Sequence, residues 1–243
     1  MTISSTFIAE VSEARSALRD LEQHNVKLPK AVTAAVAVLD RVQGSTPPEP
    51  QPNAVAEAIV NDAAREEVGR LLHTVASYQQ HRQAVFVAAK IAAGRVLAEI
   101  RRAADELHQQ LAVQAAELIG QMAAAAQIDV PLQSLVRAGR DADARVVVDA
   151  DTNAARLTAL YAIVAEHLYP RATWGVDNVD CRQWVDPRKV QHAPNVLAGL
   201  RAGGELHLAR PDQAQAAAAP IAEAVARQHE RDKHAIVSKY GVA

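Results

Sequence analysis

Four constellations in this sequence pair residue types with spacings that could do chemistry. Asp149-x-Asp151-x-Asn153 opens like a calcium loop, in which alternate oxygens converge on one cation. The match stops there, because Ala154 stands where such a loop turns on glycine and Leu160 where a bidentate glutamate closes the shell. Those polar residues are better assigned to capping a helix that begins at Asp151. His229-Glu230 with His234 imitates a zinc helix but is one residue too long, which turns the second imidazole about 140° off the first. Asp105-x-x-His108 puts an oxygen and a nitrogen on one helix side, yet a di-iron bundle needs a second Glu-x-x-His and further glutamates. Cys181, between Trp174 and Trp184, could act as a nucleophile with His192 or His207 as its base. No cysteine-enzyme signature surrounds it, and a small buried hydrophobe is the expectation. Ala202-Gly203-Gly204 lacks the Lys-Ser/Thr sequel of a phosphate loop, and no G-x-S-x-G occurs. No catalytic residue, metal or cofactor is therefore assigned, and a non-enzymatic protein is expected.

The elements that would carry any site are dominated by one stretch, Leu71 to Met122. Read with a period of eleven, it forms columns at offsets 0, 3, 4 and 7, one side of an α-helix. Leu71, Arg82, Ala93, Ala104 and Ala115 start the repeats. Thr74, Val85, Val96, Leu107 and Leu118 come three residues on, then Val75, Phe86, Leu97, His108 and Ile119, then Tyr78, Ala89, Ile100, Leu111 and Met122. Eleven residues in three turns is about 3.67 per turn, so a straight or gently right-handed helix is predicted. A heptad reads worse, since it sets Gln114 and Gln121 in the seam. The outer face offers Arg95/Glu99, Arg101/Asp105 and Arg102/Glu106, each with the base first, the weaker orientation. Burial of the apolar stripe must hold this helix, and one helix cannot bury its own stripe. His108 is expected to set register or pack neutrally in that seam.

Composition points the same way. Of 243 residues, 49% are hydrophobic but only 3% aromatic, and alanine supplies much of the apolar share. Alanine favours helix and buries little area, which suits close helix–helix contact. The 26 basic and 28 acidic residues balance, giving no electrostatic case for nucleic acid or an anionic membrane. Near the C-terminus Arg227, Arg231, Lys233 and Lys239 are interleaved with Glu223, Glu230 and Asp232, against a nucleic-acid face. A single cysteine excludes an internal disulfide framework. No apolar run reaches the roughly 20 residues that span a bilayer, and Met1–Glu10 lacks the segments of a signal peptide. A soluble chain is expected, in the cytoplasm or in a particle assembled there.

The predicted fold is all-α: a long hendecad-patterned helix, a flanking helical hairpin and a mixed, mainly helical C-terminal unit. Residues 1–43 form the hairpin, with Ile8, Val11, Ala14, Leu18 and Leu21 on one helix, Val32, Val36, Leu39 and Val42 on the next, Ser4 or Ser5 as cap and Pro29 opening the second. Residues 44–53 are a semi-rigid spacer with prolines 47, 48, 50 and 52, and Asn53 is placed to cap the next helix. Residues 54–128 are the long helix, with a break near Asn61-Asp62 or Gly69 left open. Residues 129–170 hold a return helix from Asp151 to Tyr169, expected antiparallel to the long one, while Arg145–Asp149 is ambiguous because three valines favour strand. Residues 171–243 begin with a loop rich in aspartate and aromatics, including Asp177 and Asn178. They continue with a short helix from Pro194 to Leu200, an edge strand at Glu205–Ala209, and helices from Pro211 and Pro220, the last with Ile221, Val225, Ile236 and Tyr240 on its apolar face.

The function expected is structural or assembly, with self-association or packing in a larger body such as a scaffold, ring or virion component. Its oligomer seam is Leu71, Val75, Tyr78, Val85, Phe86, Val96, Leu97, Ile100, Leu107, His108, Leu111, Leu118, Ile119 and Met122. The alternative is a compact helical adaptor or regulator that binds a protein partner through Trp174 and Trp184, since tryptophan is enriched at interface hot spots. An enzyme with its site between 174 and 207 ranks third.

Overall fold

The computed structural model describes the backbone of residues 6–51, 53–176 and 179–240, with side chains from 9 to 234 in those ranges. Ser4, Ser5, Pro52, Asp177 and Asn178, and the side chains of Ile8, Ile236 and Tyr240, lie outside the described residues. The chain is 74% helical, with nine α-helices and a two-stranded sheet among the described residues. It divides into two compact units, Met1–Ala103 and Ala104–Ala243.

In the first unit, α1 (Thr6–Gln23) and α2 (Lys30–Gly44) form the expected hairpin. The turn works because Asn25 takes a left-handed φ of 51°, a conformation asparagine tolerates, and the Val26 amide returns to the Leu21 carbonyl at 3.0 Å. Pro29 sits at the N-cap of α2, where its missing N–H costs nothing. Ser45 and Thr46 hydroxyls close its other end by donating to the Val42 and Gln43 carbonyls at 2.7 and 2.9 Å. After the spacer comes α3 (Ala54–Val60); Asn53 takes the cap position but makes no side-chain cap bond. A break at 61–64, with Asp62 at φ 56°, separates it from α4 (Arg65–Arg102), which runs straight through Gly69. Its 38 residues reach about 57 Å.

The core of this unit is small-residue packing. Ala14, Ala17, Leu21, Val32 and Leu39 from the hairpin meet Ala89, Ala92, Ala93, Val96, Leu97 and Ile100 from the far end of α4, all buried. Alanines at the contact let backbones approach closely. Lys90 pairs with Glu10 at 3.1 Å and Arg101 with Glu13 at 2.9 Å, which orders the hairpin on that end. The expected pairing of Arg101 and Arg102 with Asp105 and Glu106 gives way to these: Arg101 reaches α1, and Arg102 turns back to Glu99. The helix cannot carry the predicted pairs because it stops at Ala103, whose amide still bonds the Glu99 carbonyl at 3.0 Å.

The second unit starts with α5 (Ala104–Ala126), then the short α6 (Leu132–Arg137) and α7 (Asp141–Ile163). Helix α7 starts ten residues before the expected Asp151, so Asp149, Asp151 and Asn153 lie inside it and cap nothing. The three valines of Arg145–Asp149 are helical too, because Ala150, Asn153, Leu157 and Leu160 share a buried face that outweighs local β preference. Asn153 is buried and donates to Gln121 Oε1 at 2.9 Å. At the other end the Tyr169 hydroxyl donates to Asp105 Oδ1 at 2.7 Å, so α7 returns antiparallel along α5 as expected. A widened π-turn over Val164–Leu168 finishes it.

Beyond lies the hairpin β1 (Gly175–Val176) with β2 (Val179–Asp180), a 3₁₀ turn at Pro187–Val190 capped by Asp186, and α8 (Val196–Arg201) capped by Asn195. The edge strand expected at Glu205–Ala209 reduces to a bridge between Trp184 and Leu206, flanked by the amides of Val185, His207 and Ala209 donating to the carbonyls of Glu205, Gln183 and Arg182. The final element, α9 (Pro211–Tyr240), is a single helix, not two. Pro220 lies inside it, tolerated because its fixed φ is helical and Ala216–Ala219 before it favour helix strongly.

Candidate functional site

The predicted seam separates into three parts by who covers it. Val96, Leu97 and Ile100 are buried under the α1/α2 hairpin. Leu107, His108, Leu111, Leu118 and Met122 are buried in the second unit, where α7 lies along α5, and Ile119 is half-buried. Leu71, Val75, Tyr78, Val85 and Phe86 are only half-buried, and no residue of α4 before Ala89 is fully enclosed. On the same helix Leu72 is 54% exposed, and on α3, just before the break, Ile59 and Val60 are 60% and 83% exposed. A run of about 36 Å of amphipathic helix, residues 65–88, thus keeps much of its apolar surface in water. Both signs of charge lie along it: Glu66 and Glu67 open the helix, and Arg70, His73, His81 and Arg82 come after them, all exposed.

His108 belongs to the closed part of the seam. Its Nε2 lies 3.1 Å from the Leu208 carbonyl oxygen, which requires that nitrogen to donate. Burial pushes the imidazole below its ordinary pKa, with Arg210 acting in the same sense and Asp105 opposing. Tyr169 meets it edge-on with ring centroids 6.4 Å apart, and Trp174 meets Tyr169 likewise at 6.3 Å. A residue with the spacing of a ligand is instead a bolt between α5 and the Leu206–Arg210 segment.

Trp184 is buried, and two glycines make room for it. A Cβ on Gly199 would lie 2.6 Å from its ring, and one on Gly204 2.7 Å. Cys181 is fully buried; its thiol donates to the Val179 carbonyl at 3.7 Å, and burial with the nearby Asp180 pushes its pKa up. A thiol held protonated is a poor nucleophile. Burial pushes the His207 imidazole below its ordinary pKa, and its Nε2 finds no partner among the described residues.

Trp184 also lines a surface cleft of about 830 Å³ between the Val179–His192 segment and α9. Val190, Ile221 and Val225 give it apolar walls, and Gln183, Gln191, His192 and Gln228 a polar rim. Asp180 holds Arg182, and Asp186 holds Arg188, both through two-pronged bonds, fixing the loop. The arrangement can receive a side chain or short peptide but pairs no nucleophile with a base. The α9 wall lies outside the site expected at 174–207; its signal in the sequence is only the sparse Ile221, Val225 spacing. No group of histidine, cysteine or acidic side chains among the described residues could hold a metal ion, and no described helix is long and apolar enough to cross a membrane. Comparison with protein families, with curated proteins and with solved structures returns no match.

Proposed function

We propose that this chain is a non-enzymatic assembly protein that associates through the open half of α4, with itself or within a larger body such as a scaffold, ring or virion. One observation carries the reading: across residues 65–88 the helix repeats apolar positions at the spacing that is buried at nearly every position downstream, yet encloses none of them. Apolar surface in a continuous stripe of this kind marks an interaction site on a soluble chain. Light scattering over a concentration series tests it, and a mass that stays at 26.0 kDa up to high micromolar concentration overturns it.

A second reading draws on the cleft beside Trp184: a compact adaptor that receives a partner's peptide there. Filling that cleft with Ala224→Trp discriminates. Partner binding lost in this variant but kept in Leu72→Glu favours the adaptor.

A further inference from the structure

We propose that the open half of α4 pairs with a second copy of itself, antiparallel, about a two-fold axis beside Val75. The inference rests on the assembly reading and names its partner. Charge decides the orientation. Glu67, near the start of α4, is exposed and among the described residues pairs with Arg70 at 4.0 Å, an ion pair of little worth at the surface. His81 and Arg82, four turns further along, are exposed. An antiparallel pair sets Leu71 of one copy against Tyr78 of the other, places the two Val75 side by side, and brings each Glu67 against His81 and Arg82 of its mate. A parallel pair in register would instead stack Arg82 on Arg82 inside the seam and Glu67 beside Glu67, like charges at close range. The antiparallel contact is isologous, the same patch used twice, so it closes without forming fibres.

The test uses the full chain with single cysteines introduced by Val75→Cys or Arg82→Cys. Val75 is half-buried and Arg82 exposed, so neither change disturbs the core, and the native Cys181 is fully buried and does not compete. Oxidation is expected to link Val75→Cys chains into covalent pairs and to leave Arg82→Cys chains unlinked. Glu67→Arg is expected to weaken association roughly tenfold, and adding Arg82→Glu to restore it, which a role confined to the helix terminus would not do. A chain that associates but links through Arg82→Cys overturns the antiparallel pair and leaves the assembly reading standing. A chain that stays single at high micromolar concentration overturns both.

Discussion

Helices α4 and α5 carry the same eleven-residue pattern and meet different fates. Along α5 the positions Leu107, Leu111, Ala115, Leu118 and Met122 are all buried, because α7 returns along the helix and α8 and the Leu206–Arg210 segment cover what remains. Along α4 the pattern is buried only from Ala89 onward, where Glu10 and Glu13 of α1 pair with Lys90 and Arg101. Helix α2 has 15 residues and α4 has 38, so a hairpin of that size can cover less than half of it. A periodic stripe states that cover is needed. The lengths of the neighbouring elements state how much the chain itself supplies, and the shortfall falls on residues 65–88, where the proposed second copy would sit.

Truncations along the stripe should therefore separate the two regions. Leu111→Ala empties a fully enclosed site in α5 and is expected to cost about 2–5 kcal/mol in urea unfolding. Leu71→Ala, the same truncation in the open half of α4, should cost well under half of that in dilute protein, and equal costs would erase the contrast. Gly199→Ala comes next: the added methyl displaces the Trp184 ring, for about 1–3 kcal/mol and a shift in tryptophan fluorescence.

Acid should act on the closed region. The folded pKa values of His108 and His207 lie below the ordinary 6.5, so protonation favours the unfolded chain. Their contribution is complete above about pH 6.5 and is lost as pH falls through the depressed folded values. At His108 the backbone hydrogen bonds to Leu208 and Ala209 and the charge of Asp105 oppose this while Arg210 reinforces it, and at His207 Glu205 opposes it while His108 reinforces it. Unfolding followed at Trp184 should show this loss, and His108→Gln, whose amide can still donate to the Leu208 carbonyl, should flatten the profile. The smallest effect belongs to Leu72→Ser, expected within roughly 0.5 kcal/mol on the dilute chain because the side chain is already in water.

Much of this contrast is readable from residue spacing. The stripe, the hairpin, the proline spacer and the antiparallel return of α7 all come from hydrophobic periodicity and helix punctuation. The stop at Ala103 does not, since Arg102-Ala103-Ala104 contains no glycine or proline and every local preference favours helix. Valines 146–148 mislead in the opposite sense, their β preference overridden by the packing of α7 on α5. Pro220 and the Asp149–Asn153 cluster suggest helix starts because their residue types favour starts, while burial around them continues the helix. The cleft beside Trp184 depends on Gly199 and Gly204 giving up their side chains to an indole fifteen or more residues away, which no local pattern announces.

Hydrogen exchange measured at low and high protein concentration reads the central contrast directly. Amides of residues 65–88 are predicted to gain protection as concentration rises, while those of 89–102 and 104–126 stay equally protected throughout. Protection across 65–88 that ignores concentration would contradict the account.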